Sequence, residues 1–387
     1  MSACLWCADI SNQPNIRKSN MTKRLKQMAG VAALSVAASS LAFADIKLND
    51  NFSVGGYAVG EANYNESKPV VGDNSSTSKL DGDAYKLWSS VTFAPVTGTI
   101  SIYAGQSGEP VILDAYATYD MGGGTKVSVG KFLSWLGYEA YDPINMTQLT
   151  YAWQTPQGFG VANIPGYHSG VKIENGNDTY TVGAAVLDSV DPSPSAKYVS
   201  RGDGDLKNGP GFEAYYTYKG VKDLTLFVGG TYENNTNKTL SVATFDPTTL
   251  TYTPAVTGDV TTYSVDFWAQ YVIGDTTLAG EYSYRLDDYK SESITGFSAH
   301  KIGSSFALAE VQQALNKQWS LTARVSWIGT HDDASGVSNP SATTFTLAPT
   351  FTLNDHLSFV AEYSYTKYHD YSLDSGNFIA LQARFKF

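Results

Sequence analysis

The chain has few residues whose types and spacing could carry out covalent chemistry. The pair nearest to a nucleophile and its base is His168 followed by Ser169. Neighbours on a strand point to opposite faces, whereas a catalytic dyad needs side chains within about 3 Å. The five histidines are not spaced like a metal site, and Gly122–Gly124 precedes no GKS or GKT sequence. We therefore predict no enzyme, no cofactor and no bound metal.

Charged residues at alternate positions suggest a different chemistry, the electrostatic control of an aqueous path. Residues 278–286 place Leu278 and Tyr282 on one face of a strand and Glu281 and Arg285 on the other. Such charges are tolerated in mid-strand only if that face is wet. By this alternation the predicted lining residues of a polar interior are Lys86, Asp114, Lys172, Glu174, Glu213, Glu281, Arg285, Lys301, Arg324, Glu362 and Arg384.

The segment 133–165 is the most informative loop. It is longer than the usual limit of about 12–15 residues for an unstructured connection, and it is too aromatic for disorder. We predict that it folds inward as a constriction, because charges set across a narrow gap control ion passage. The alternative is an outward cap packed on its own aromatic residues. The predicted constriction residues are Glu139, Asp142, Tyr138, Tyr141 and Trp153.

The elements that must position these residues are long strands with a period of two. Their apolar faces often end in Tyr, Trp or Phe, as at a membrane interface. Short turns and longer polar loops alternate along the chain. We predict an all-β fold, a transmembrane antiparallel up-and-down barrel of about sixteen strands, with fourteen to eighteen as the range. The predicted strands are 51–64, 81–94, 99–106, 111–120, 126–132, 166–174, 178–187, 210–219, 223–233, 258–273, 275–287, 296–308, 318–330, 342–353, 356–368 and 377–387.

The N-terminal segment is predicted to be removed on export. Met21 begins a basic stretch, an apolar stretch runs from Met28 to Leu41, and Ala42-Phe43-Ala44 fits a signal-peptidase site. The predicted division is therefore 1–44, an extension with a cleaved signal peptide, and 45–387, the barrel. Met21 is the expected true start. Cys4 and Cys7, the two cysteines of the chain, would be lost with this segment.

Charge and the C-terminus support export to an outer membrane. The full chain has a net charge of −11, and losing 1–44 removes five basic residues and one acidic residue, which leaves −15. This balance disfavours nucleic acid as a partner. The last strand places Phe385 and Phe387 on its apolar face, with Phe387 at the end of the chain. A terminal Phe on an alternating strand resembles the signal read by the barrel-assembly machinery.

A stretch from 111 to 174 resembles the OmpL-like β-barrel porin family. The resemblance is carried by Val127-Ser-Val-Gly-Lys-Phe132, by Leu136-Gly-Tyr-Glu139 and by Pro165-Gly-Tyr-His-Ser-Gly-Val171. It implies a porin of a Gram-negative outer membrane more firmly than it implies any particular solute. The loops depart from the family pattern, so the resemblance leaves selectivity undecided.

The leading hypothesis for function is therefore a passive diffusion channel in the cell outer membrane for small hydrophilic solutes and ions. One alternative is a sugar-selective channel, in which the inward rings of Trp88, Trp268 and Tyr215 would stack on sugars. Another is a structural or adhesive barrel that does not conduct. The expected partners are outer-membrane lipid, the barrel-assembly machinery and the solutes, and a homotrimer is left open.

Overall fold

The computed structural model describes residues 46–105, 110–139, 142–190, 209–241, 244–246, 251–253, 256–290, 299–333 and 338–387. All of them lie in the compact unit Phe43–Phe387. The predicted segment 1–44 and the candidate Tyr141 lie outside the described residues. Among the described residues, no helix is long and apolar enough to cross a bilayer.

Sixteen antiparallel strands form one closed sheet, which confirms the predicted fold class. Each strand pairs with its neighbours in the chain, and β16 pairs with β1 to close the barrel. The strands are β1 Phe52–Pro69, β2 Ser75–Phe93, β3 Val96–Gly105, β4 Val111–Gly122, β5 Thr125–Leu133, β6 Tyr167–Gly176, β7 Tyr180–Leu187, β8 Gly211–Tyr218, β9 Leu224–Ser241, β10 Val256–Ile273, β11 Thr276–Tyr289, β12 His300–Ala314, β13 Trp319–Asp332, β14 Ser341–Thr352, β15 Leu357–His369 and β16 Leu373–Lys386.

Three shorter strands accompany the barrel. Ile46–Lys47 pairs with the start of β1. Thr244–Asp246 and Thr251–Thr253 form a small hairpin within the connection between β9 and β10. These pieces lie at the ends of the barrel strands and leave the closed sheet unchanged.

The first hairpin is longer than predicted. A polar loop was expected over 65–80, but β1 and β2 stay paired as far as Ser67 opposite Ser75. The residues here are mostly Ser, Thr, Asn and Lys on both faces. Apolar alternation predicts only the part of a strand that faces lipid. Where both faces are polar, backbone pairing continues without that signal.

Alternation along each strand separates an apolar outer face from a polar inner face. On β16, Ile379 and Leu381 are about half exposed, whereas Gln382 and Arg384 are buried. The outward side chains form the lipid-facing surface, and the inward ones line or fill the interior. This arrangement is the one expected for a membrane barrel with a hydrophilic lumen.

Two glycines on β1 allow close approach of neighbouring rings. A Cβ at Gly55 would lie 2.5 Å from the Trp88 ring, and a Cβ at Gly56 would lie 2.6 Å from the Phe387 ring. The register shift on β1 lies elsewhere, between Val59 and Gly60. Their role is to admit aromatic side chains at the seam of the barrel.

The end of the chain forms part of that seam. The Phe387 amide donates to the Gly56 carbonyl at 3.0 Å, and the Gly56 amide donates to the Phe387 carbonyl at 3.0 Å. Phe385 is half exposed on the outer face. The last residue therefore continues the ladder that joins β16 to β1.

Candidate constriction site

The connection between β5 and β6, here called the inner loop (Ser134–Gly166), leaves and re-enters the wall at one point. Leu133 and Tyr167 are directly paired across β5 and β6. The Ser134 amide donates to the Gly166 carbonyl at 3.0 Å. Between these ends, the described residues contain one short 3₁₀ helix, Pro143–Asn145.

The first part of the inner loop is held by carboxylates that point inward from the wall. Glu213 on β8 accepts a hydrogen bond from the Trp135 amide at 2.7 Å. Asp266 on β10 accepts one from the Gly137 amide at 2.8 Å. A carboxylate that accepts a backbone N–H forms a charge-assisted hydrogen bond, stronger than a neutral one. The loop backbone, which has no sheet partner here, is satisfied by the wall instead.

Tyr138 lies in the same run. Its amide donates to Glu281 on β11 at 2.8 Å, and its ring packs against Trp268 with centroids 5.7 Å apart. Burial, followed by the nearby carboxylates of Glu310 and Glu139, raises the pKa of the Tyr138 phenol well above its usual range. Tyr138 is therefore a neutral packing residue and not a source of charge in the constriction.

Glu139 forms a buried ion pair with Arg324 on β13. Both side chains are almost fully enclosed, at 4% and 0% exposure. Glu139 also accepts hydrogen bonds from Gln148 at 2.6 Å and from the Ala152 amide at 2.7 Å. This carboxylate therefore organises the middle of the inner loop and fixes it to the wall, with little surface left for water.

Asp142 connects the inner loop to the other side of the seam. Its carboxylate lies 2.9 Å from the Lys86 ammonium on β2 and accepts a hydrogen bond from Tyr57 on β1 at 3.2 Å. Lys86 lies 3.4 Å from Asp114 on β4 as well, and donates to the Tyr167 hydroxyl at 3.2 Å. Asp142 and Asp114 thus share one buried cation.

The return half of the inner loop is bound by β15 and β16. Glu362 accepts hydrogen bonds from the Leu149 and Thr150 amides at 2.5 and 3.1 Å. Arg384 donates to the carbonyls of Met146 and Gln148 at 2.5 and 3.0 Å. The loop therefore contacts inward-facing residues on widely separated strands. Its described residues lie against the inner face of the wall, and their role as a constriction stays a prediction.

Other candidate residues occupy different surroundings. Trp153 is partly buried against Tyr151, with ring centroids 4.9 Å apart. Lys301 was predicted to face inward, but its side chain is exposed. On β12 the inward positions are those of Phe306, Leu308 and Glu310, so Lys301 has the outward parity. It lies near the start of β12, where apolar alternation has ended.

Several carboxylates that face inward were missed in the sequence, among them Asp266 and Glu310. Asp266 alternates with Trp268 on β10, and this spacing could have identified it. Glu310 was placed in a turn, whereas β12 continues to Ala314. Glu310 is buried and lies directly opposite Arg324 in the sheet register.

The inward aromatic residues pack on one another. Trp268 stacks on Phe227 with centroids 5.0 Å apart, and Tyr215 contacts Trp135 of the inner loop at 4.6 Å. Trp88 and Trp268 are each 3% exposed, and Tyr215 is 7% exposed. Their faces are covered, so they do not form the row of accessible rings that the sugar-channel alternative requires.

A closed sixteen-stranded barrel with an apolar outside, a charged inside and a loop folded into its lumen defines an outer-membrane channel of the porin class. The chain belongs to the beta-barrel porin-2, OmpL-like family, whose model matches residues 51–386. It is an outer-membrane porin that forms a passive aqueous diffusion channel, and the family and fold are those of a channel rather than an enzyme.

Solved structures with the same fold include a trimer form of OmpT from Vibrio cholerae, at 15% identity, covering 87% of this chain and 100% of that one, with a TM-score of 0.57. The channel DcaP of Acinetobacter baumannii has 12% identity, coverage of 89% and 100%, and a TM-score of 0.60. An anion-selective porin from Comamonas acidovorans has 11% identity, coverage of 87% and 100%, and a TM-score of 0.57. No curated protein sequence matched the chain.

Proposed function

We propose that solutes cross this channel beside the inner loop, along the inward faces of β2 to β6. The supporting observation is how unevenly the loop covers the wall. Arg324, Glu362 and Arg384 lie beneath the loop and are 2–3% exposed. On the other side, the carboxylates of Asp114 and Glu174 keep 16% and 28% of their side-chain surface. Water therefore reaches these two carboxylates, although Glu174 also accepts a hydrogen bond from the Trp135 ring of the inner loop.

The solutes are small hydrophilic molecules and ions. The accessible part of the path carries the carboxylates of Asp114 and Glu174, whereas the rings of Trp88, Trp268 and Tyr215 are covered by packing. Passage by size and charge needs no covalent step and no cofactor. A loop anchored to the wall on many sides sets the upper limit on solute size.

The test is single-channel conductance of the mature protein, residues 45–387, in a planar lipid bilayer. We expect discrete steps in concentrated salt. Leu133 and Tyr167 are directly paired, so a short turn can join them in place of the inner loop. This variant should give larger conductance steps, because the constriction is removed. Absence of conductance from a folded, heat-modifiable barrel would favour a non-conducting structural barrel. Equal conductance with and without the inner loop would contradict the proposed constriction.

We also propose that the barrel assembles as a homotrimer, the assembly in which OmpT from Vibrio cholerae has been solved. The outer face of β1 carries Ala58, Gly60 and Ala62 at successive exposed positions. Beside it on β16, Leu381 is 54% exposed. A surface patch of small residues, bordered by exposed apolar side chains, allows two barrels to approach each other closely.

Native mass spectrometry of the detergent-solubilised protein tests this assembly. The variant Ala58→Trp should give monomers, because a large ring on this patch of small residues would keep two barrels apart. Ala184→Trp, also outward but on β7, should leave the trimer intact. A monomeric parent protein, or a trimer unaffected by Ala58→Trp, would contradict the proposed assembly face.

A further inference from the structure

The ion pairs beside the proposed path share one asymmetry. Lys86 pairs with Asp114 and Asp142, and the ammonium of Lys172 lies 3.5 Å from Glu174. The side chains of Lys86 and Lys172 are 3% and 5% exposed. Their partners Asp114, Asp142 and Glu174 are 16%, 13% and 28% exposed. In each pair it is the carboxylate that water reaches.

The cations are withdrawn from the path by aromatic rings. The Lys172 ammonium lies 4.7 Å from the Phe132 ring centroid, 5.1 Å from that of Trp135 and 5.9 Å from that of Tyr116. The Lys86 ammonium lies 5.7 Å from the centroid of Tyr167. Ring faces attract a cation, so these contacts hold the positive charges away from the lumen.

The remaining charges of the inner wall do not reverse this balance. Arg324 and Arg384 are engaged by the inner loop, and Arg285 is 5% exposed beside Asp287 at 13%. The exposed Lys126, near the turn between β4 and β5, is matched by the exposed Asp120 directly opposite in the register. Along the described wall, the water-facing charge is therefore mainly negative.

From this asymmetry we infer that the channel prefers cations, both inorganic cations and small basic solutes, and that Asp114, Asp142 and Glu174 determine this preference. The inference rests on the proposed path along β2 to β6. A negative potential in a narrow aqueous gap concentrates cations and repels anions. The fold alone does not determine whether a channel prefers cations or anions, since the Comamonas acidovorans porin of similar fold is anion-selective.

The test is the reversal potential in a planar bilayer under a potassium chloride gradient. The parent protein should be potassium-selective. Glu174→Gln should lower the potassium-to-chloride permeability ratio by about two- to fivefold, because one water-facing charge is lost. The amide keeps an acceptor for Trp135 and Tyr215, which now bond to Glu174 at 3.0 and 2.9 Å. Asp355→Asn removes the same charge from an exposed turn and should leave the ratio unchanged.

A second variant tests the withdrawal of the cations. Lys172→Met should change the permeability ratio less than Glu174→Gln does, because the ammonium is enclosed by rings. Heat-modifiable electrophoresis establishes that both variants are folded. Chloride preference or no preference in a conducting parent would overturn this inference and leave the diffusion channel standing. If Asp355→Asn and Glu174→Gln changed the permeability ratio equally, the role of Glu174 would be overturned. Absence of conductance would overturn the proposed function itself.

Discussion

Gly130 shows how one residue can be required by the barrel wall. Its φ is +129°, and a Cβ at this position would lie 2.2 Å from the Ala115 carbonyl oxygen on the neighbouring strand. A side chain there would be strained by its backbone and would also collide with backbone atoms of β4. The clash cannot be relieved by a change of rotamer or by moving a flexible side chain, because the nearest atoms belong to the backbone.

Gly130→Ala should therefore lower the free energy of unfolding by about 2–3 kcal/mol, the upper part of the range for overpacking. The measurement is the urea midpoint in detergent, followed by heat-modifiable electrophoresis. Gly98→Ala on β3 is the matched control, since its Cβ would meet nothing within 4 Å and should leave the midpoint nearly unchanged. Equal midpoints for the two variants would contradict the steric account.

Arg324 and Glu139 provide a second test at the residue scale. Removing one member of a buried ion pair leaves an uncompensated charge and costs about 3–5 kcal/mol. Arg324→Met should therefore destabilise the inner loop, and hydrogen exchange at Ala152 should become faster, because its amide donates to Glu139. The double variant Arg324→Met, Glu139→Gln should recover part of the protection. A double variant with less protection than the single one would be inconsistent with this pairing.

At the residue scale, alternation in the sequence predicted most inward charges, including Lys86, Glu213 and Arg324. It failed for Lys301, which lies beyond the apolar band where neither face needs lipid-compatible residues. The roles of those charges were not predictable in the same way. Whether a carboxylate faces water or accepts an amide of the inner loop depends on the path of the loop, and local sequence does not encode that path.

The inner loop is the element whose stability depends most on side chains of the wall. It has almost no backbone pairing of its own, apart from the isolated bridge between Gln154 and Gly160 among the described residues. Its length and aromatic content predicted that it would fold inward. Its anchoring by carboxylates on five or more strands could not be predicted, because those contacts join residues far apart in the chain.

Glu362→Ala should loosen this element, since it removes the acceptor of the Leu149 and Thr150 amides. Unpaired amides can be satisfied by water only if the loop moves away from the wall. We expect single-channel records with a higher mean conductance and more current noise. Thr344→Ala is the control, because Thr344 is on the same wall and bonds to Thr366 rather than to the loop. Similar noise in both variants would argue against a specific anchor.

At the scale of the whole molecule, the seam between β16 and β1 closes the sheet. Closure removes the unpaired edges that an open sheet would expose to lipid. The two strands are paired from Lys386 opposite Tyr57 to Leu373 opposite Pro69. Phe387 extends this pairing to Gly56. The strand count was predictable from hairpin rhythm, whereas the glycine and ring contacts of the seam were not.

The terminal residue allows closure to be separated from recognition during assembly. Phe387→Ala keeps the two backbone hydrogen bonds with Gly56 and removes the ring, whereas deletion of Phe387 removes both. If Phe387 is part of an assembly signal, the Ala variant should refold normally in detergent and still accumulate less in the outer membrane. The deletion should be impaired in both assays. Normal accumulation of the Ala variant would argue against a signal role for the ring.

The pairing of Leu133 with Tyr167 has a consequence for how such channels diversify. The described residues between these two leave the wall and return to it at one place. A segment inserted, deleted or exchanged there changes the width of the lumen, while the barrel strands keep their register. The size and charge of the lumen can therefore change within this one segment, provided that the wall residues it contacts, such as Arg324 and Glu362, keep their partners.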